Sequence, residues 1–230
     1  AVSGLRITES WVGVQGLFGV AEGVIKNFSM SDVFIELAEE NLAGFDAVGA
    51  TIGANFGTVQ NCSVLSGKIA LEAPSEDSTV GGVVGHNAGL MSECANAASV
   101  TASDDNDASV GGIAGGNDEG GNIESCTNYG TISSAEDAGG VVGENEDGEI
   151  VYCINSGRIT GRSAGGLSGE NDGNGFVSEC TNRGSIASVA SSDDHPDPAF
   201  IGGIVGWNEA TVSRCINASD AVVTDNAEGH

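Results

Sequence analysis

Six cysteines of this chain occupy one position of a repeating pattern, and that regularity constrains the fold more than any other feature. Residues 80–100 read VGGVVGHNAGLMSECANAASV, and the same order of residue types returns at 48–69, 110–132, 138–159, 164–186 and 201–222. A divergent copy, about 14–47, is recognisable in GLFGVAEGVIKNF at 16–28. Each copy runs apolar-Gly-Gly-apolar-apolar-Gly-x-Asn, a short turn, apolar-x-x-Cys-x-Asn, then x-Gly-x-apolar. The apolar groups are two to five residues long and bounded by Gly or Asn, whereas a helix needs about 10–12 residues. Three short strands per copy are therefore predicted. With copies starting at about 48, 80, 110, 138, 164 and 201, each copy makes one coil of a β-solenoid, and the chain forms one β-helix module across residues 1–230. A single coil cannot bury its apolar strip alone, so stacked neighbours complete a continuous core. Seven coils at about 4.8 Å each make a rod roughly 34 Å long. A β-propeller blade needs about 40–45 residues and does not fit the shortest copies, which are 27 residues long. The recurrent leucines of leucine-rich repeats are absent.

The cysteines are Cys62, Cys94, Cys126, Cys153, Cys180 and Cys215, and the divergent copy has Phe28 at their position. A position that accepts Cys or Phe asks for apolar volume rather than a reactive thiol. Stacked in one column, neighbouring Cβ atoms lie about 4.8 Å apart, beyond the roughly 3.5–4.5 Å of a disulfide. Buried free thiols acting as small hydrophobes are expected. A single column also cannot surround zinc tetrahedrally. The apolar residue three places earlier (Val59, Met91, Ile123, Ile150, Val177, Val212) shares the inward face with the cysteine only if the chain bends between them.

Two asparagine columns follow from the same alignment. One is Asn55, Asn87, Asn117, Asn145, Asn171 and Asn208; the other is Asn96, Asn128, Asn155, Asn182 and Asn217. Asparagine suits turns, and stacked amides can bond to one another as structural ladders. In the turns at 117–122, 145–149 and 171–175, Asp118, Glu119, Glu146, Asp147 and Asp172 gather beside glycines. They are either a solvated acidic rim or oxygen ligands for Ca²⁺, although none has EF-hand spacing. Glu179 and Arg214 precede the cysteines of consecutive coils and are expected to pair outside the rod. From the last apolar column to the next copy the steps are 11, 10, 6, 5 and 15 residues, so loops at 70–79, 101–109 and 187–200, the last carrying His195, are expected along one edge.

Charge narrows the partners. With 33 acidic against 7 basic residues the formal net charge is −26, which repels nucleic acid and anionic lipid. No apolar run approaches the roughly 20 residues of a membrane span, so no membrane insertion is expected. The three histidines are out of step with the repeat and form no triad, and the scattered Arg158, Arg162 and Arg183 would hold a polyanion poorly. No catalytic residue and no resident cofactor is expected, with Ca²⁺ as the one candidate ion. The start lacks a signal-like segment, and the chain is expected to be an excised piece, or a processed form, of something longer.

The residues GLFG at 16–19, GGVVG at 81–85 and 139–143, and the following G-x-I-x-x-C-x-N-x-G-x-I resemble the GLUG repeat. The resemblance covers nearly the whole chain, with Ala21 and Phe28 of the first copy departing from the Asn and Cys of the others. It implies a right-handed parallel β-helix and an extracellular setting. GLUG repeats occur in large adhesin-like bacterial proteins, secreted or attached to the surface, and in non-catalytic regions of immunoglobulin A peptidases. The expected role is a structural or adhesive module, a stiff stalk or display scaffold, facing a host or cell-surface protein or glycan. A carbohydrate-active β-helix enzyme and a calcium-dependent binding module are the alternatives.

Overall fold

The computed structural model describes residues 1–8, 13–37, 47–72, 77–103, 108–189, 199–218 and 223–224. Among them there is no helix, and the strands pair in four sheets of 13, 8, 7 and 7 strands. The coil at 79–102 shows the plan. Thr79–Gly81 lies in sheet I, Val84–Asn87 in sheet II, Leu90–Ser92 and Ala95–Asn96 in sheet III, and Ser99–Ala102 in sheet IV. Each strand pairs in parallel with its equivalents one repeat away, so that Val80 lies between Val48 and Val110, and Met91 between Val59 and Ile123. The result is a three-sided parallel β-helix. The divergent copy stacks in register with the rest, Phe28 opposite Cys62. Upstream of it, Val2–Ser3 and Arg6–Ile7 add a further part-coil that the repeat pattern does not reveal.

The three apolar runs of a copy become five strand segments because two of the runs are bent. The first bend is the Gly-Gly pair between sheets I and II. A Cβ on Gly81 would lie 1.7 Å from the Val84 carbonyl oxygen, and one on Gly82 would meet Gly112 O at 2.2 Å and the Asn96 side-chain carbon Cγ at 2.4 Å. Close approach of backbone to backbone and to amide, rather than a special φ, therefore selects glycine here.

The second bend explains how the apolar residue and the cysteine three places later both point inward. The residue before the cysteine position is left-handed in every coil: Asn27, Asn61, Glu93, Ser125, Tyr152, Glu179 and Arg214, with φ between 51° and 57°. One residue in this conformation breaks the alternation of the strand and returns the next side chain to the core. Its backbone stays paired, as in Tyr152 N–H to Ser178 O at 3.2 Å. Val59 with Cys62, Ile123 with Cys126 and Ile150 with Cys153 are all fully buried. The left-handed conformation costs roughly 1–2 kcal/mol for a residue with a side chain, least for asparagine.

One hydrophobic cluster runs from Ala21 to Ile186 through every intervening coil. The long steps between copies all join sheet IV to sheet I, from Leu71 to Thr79, Ala102 to Ser109 and Ser188 to Phe200. Residues 73–76, 104–107 and 190–198, including His195, lie outside the described residues, so the expected edge loops are placed only by their ends. Arg214 Nη1 reaches Glu179 Oε1 at 3.0 Å across one rung, on the outside of the rod.

Tyr152 is the bulkiest residue at the left-handed position and is 54% exposed. Tyr152→Asn is expected to raise stability by about 1 kcal/mol, read as a higher urea midpoint at unchanged slope. A lower midpoint would show that the tyrosine ring contributes more than the backbone strain removes.

Candidate functional site

The interior is organised by two amide ladders. Along the first, Asn55 donates to Asn87, Asn87 to Asn117, Asn117 to Asn145, Asn145 to Asn171 and Asn171 to Asn208, each bond 2.7–2.8 Å. Along the second, Asn96, Asn128, Asn155 and Asn182 each donate to the next, ending at Asn217, at 2.8–3.0 Å. Most of these amides also close their own turns. Asn128 Nδ2 donates to Gly130 O at 3.0 Å, and Gly130 N–H donates to Asn128 Oδ1 at 3.0 Å. Two donors and two acceptor sites are thus all used on a side chain with no exposed surface.

The thiol column is bonded as well as packed. All six cysteines are free, five buried and Cys215 half-buried at the last coil. The bend that turns each cysteine inward also turns its backbone N–H inward, away from the carbonyls of the next strand. That N–H finds sulfur instead: Cys94 N–H to Cys126 Sγ at 3.4 Å, Cys126 to Cys153 at 3.4 Å and Cys153 to Cys180 at 3.3 Å. Each thiol hydrogen has a carbonyl within reach, for example Cys153 Sγ to Val151 O at 3.3 Å. Apolar volume alone is therefore an incomplete account of this position, since sulfur also accepts an otherwise orphaned buried donor. Contact with the next thiol and then burial raise Cys62, Cys94 and Cys126, with Cys94 pushed up to about 12. Cys153 is raised first by burial and Cys215 by its contact with Cys180. Hydrogen bonds from both neighbours pull Cys180 the other way. No cation is among the groups acting on any of the six thiols.

The acidic turns stack into a rim. Glu146 and Asp172 are register partners, and repulsion from Asp172 followed by burial raises Glu146. Burial and then Asp147 raise Asp172, whose Oδ1 is buried without a hydrogen bond. Asp118 turns to His86 Nε2 at 3.4 Å, Asp147 Oδ1 accepts from Asn174 N–H and Nδ2 at 2.6 and 2.7 Å, and Glu119 is exposed. Among the described residues no group of three or more His, Cys, Asp or Glu converges to hold a metal ion. Asp118, Glu119, Glu146, Asp147 and Asp172, the residues of the calcium expectation, therefore form no such group.

The sequence reading missed a different constellation, at the outer corner between sheets I and II. The sheet I column is Thr79, Ser109, Asp137, Ser163 and Phe200; the sheet II column is His86, Gly116, Glu144, Glu170 and Trp207. Ser109 meets Glu144 of the next coil at 3.1 Å, and Asp137 is acted on by Glu170 of the next coil as well as by Glu144 of its own, whereas Phe200 and Trp207 form an edge-on pair at 4.4 Å within one coil. At the other end His86 tilts against Phe56 at 6.2 Å. Burial, then Glu170 and Glu144, push Asp137 up to about 7, opposed by a hydrogen bond with Ser163. Burial also lifts Glu144 to about 7, against the Ser109 bond, and burial followed by Asp172 raises Glu170. Beside the corner, Arg162 is paired with the buried Glu136. The available signal was the repeated Gly-Glu-Asn at 143–145 and 169–171, which puts like charges one rung apart just before a ladder asparagine.

Fold and ladders together define a parallel β-helix repeat module. No protein-family model matches the chain, nor does any curated protein or solved structure.

Two measurements test the interior. Asn128→Ala strips partners from Asn96, Asn155 and Gly130 and is expected to cost more than about 3 kcal/mol, at roughly 1–3 kcal/mol per unsatisfied group. Asn217→Ala, at the exposed end of the same ladder, should cost about 1 kcal/mol or less; equal losses would refute a cooperative ladder. For the thiols, Cys126→Ser should be better tolerated than Cys126→Ala, the reverse of the order for pure hydrophobic packing. A thiol reagent should label native protein at Cys215 first and reach all six cysteines once the protein is denatured without reductant.

Proposed function

We propose that this chain is a non-catalytic β-helix spacer and display module, GLUG-like, of a bacterial surface or secreted protein. The observation that carries the reading is the interlock between coils. Two ladders of amide bonds, one from Asn55 and one from Asn96, and a bonded thiol column tie coil to coil along the rod above the divergent first copy. Such an interior resists bending and sliding, while the outer columns vary freely from coil to coil. Protein or glycan partners would meet those outer columns and the connections between sheets IV and I.

A carbohydrate-active β-helix is the second reading, favoured by the corner of Asp137, Glu144 and Glu170 beside the Phe200–Trp207 pair. Paired carboxyl groups, one holding its proton near neutral pH, are the groups that glycoside hydrolysis employs. One experiment separates the two. The chain is placed between a cell anchor and a known binding domain, and a second version lacks the coil at 138–163. For a spacer, the shortened rod stays folded, loses about 4.8 Å of reach, and adhesion changes with length but not with Glu144→Gln. Hydrolysis of a polysaccharide panel that Glu144→Gln abolishes would overturn the spacer reading.

A further inference from the structure

The corner between sheets I and II also carries an inference independent of either reading, because it concerns the stability of the rod. Parallel in-register stacking puts Glu144 and Glu170 one rung apart in sheet II. Asp137 follows Ser109 in the sheet I column, and since Ser109 meets Glu144 one coil up at 3.1 Å, the equivalent neighbour of Asp137 is Glu170. Three carboxyl groups thus share one partly buried corner. The groups facing Asp137 are Ser163, Glu170, Glu144 and, on its own strand's approach, Glu136, whose charge is already met by Arg162. Glu144 faces Ser109, Glu170, Asp172 and Glu146; Glu170 faces Asp172 and Glu209. His86, on the same outer column, is separated from Glu144 by Gly116 and turned to Asp118. No cation is among the groups acting on Asp137, Glu144 or Glu170.

We propose that Asp137 is a proton-linked latch, protonated when the corner is closed, whose ionisation loosens the coils at 137–172. A neutral Asp137 can share its proton with neighbouring oxygen and removes one of three like charges from the corner. An ionised Asp137 faces Glu144 and Glu170 with only the Ser163 hydroxyl to offset them.

The sign follows from linkage. Asp137 holds its proton up to about pH 7 when folded, and an unfolded aspartate loses it near pH 4. Between those values the folded state binds the extra proton, so stability falls as pH rises across the window. The rod is tightest in mild acid and loosens through neutrality.

Thermal midpoints from pH 5 to 8.5 at constant ionic strength test this. The wild type should lose several degrees between pH 5 and 7.5. Asp137→Asn, which keeps a side chain able to bond Ser163 but cannot ionise, should flatten much of that fall and be the more stable protein at pH 8. Glu170→Gln, which removes a charge acting on Asp137, should shift the midpoint of the fall to lower pH. Glu124→Gln, at an exposed position, removes the same charge and should leave the slope unchanged. An Asp137→Asn slope equal to that of the wild type, or a flattening reproduced by Glu124→Gln, would overturn the latch. Should Asp137→Asn fail to fold, the ¹³C carboxyl signal of Asp137 in the wild type decides: titration near pH 7 supports the latch and titration below pH 5 refutes it.

Discussion

Parallel stacking in register sets the terms for every side chain in this molecule. Each residue lies about one strand spacing, ~4.8 Å, above and below its own equivalents. A residue type is acceptable at a column position only if it tolerates itself as a neighbour on both sides. Isoleucine and valine do so by dispersion and burial, which fill sheet IV with Ile35, Ile69, Val100, Ile132, Ile159 and Ile186. Asparagine does so by being donor and acceptor at once, so that a column of amides closes on itself without a second residue type. Cysteine does so because sulfur accepts the inward N–H of the coil before it while its own hydrogen reaches a carbonyl.

Charged residues tolerate the same arrangement least, and the outer columns show how the chain handles them. Opposite charges on consecutive rungs pair, as Glu179 and Arg214 do, though an exposed pair of this kind contributes only about 0.2–1 kcal/mol. Where like charges stack, some reach neighbouring polar groups, as Asp118 and Asp147 do, and others hold their protons more tightly than a free carboxyl group because burial disfavours the charge, as at the corner of Asp137, Glu144 and Glu170. With a net charge of −26, few cations are available to do otherwise.

The separation of roles follows. The interior columns are occupied by packing and ladder bonds along the whole rod. Any recognition by this chain falls to the outward columns, the corner between sheets I and II, and the connections from sheet IV to sheet I, where sequence and length change from coil to coil without disturbing the stack.

The seven repeat coils, though not the part-coil upstream of them, were legible in the sequence, as were the parallel stacking, the columns of Cys and Asn and the Glu179–Arg214 pair. A repeat held in register converts spacing along the chain directly into neighbours in space. The need for a bend before each cysteine was legible too, because alternation fails there, but its means was not: residues as unlike as Asn61, Glu93, Tyr152 and Arg214 adopt the same left-handed conformation. Only the tertiary structure decided that the cysteine N–H turns inward to sulfur, that the Gly-Gly pair is required by the backbone and amides packed against it, and that Ser109, Asp137, Glu144 and Glu170 face one another. Those contacts cross from one sheet to another and from one coil to the next. Their partners depend on the angle at which two sheets meet, a quantity that repeat spacing leaves open and the close packing of glycine against the asparagine ladder sets.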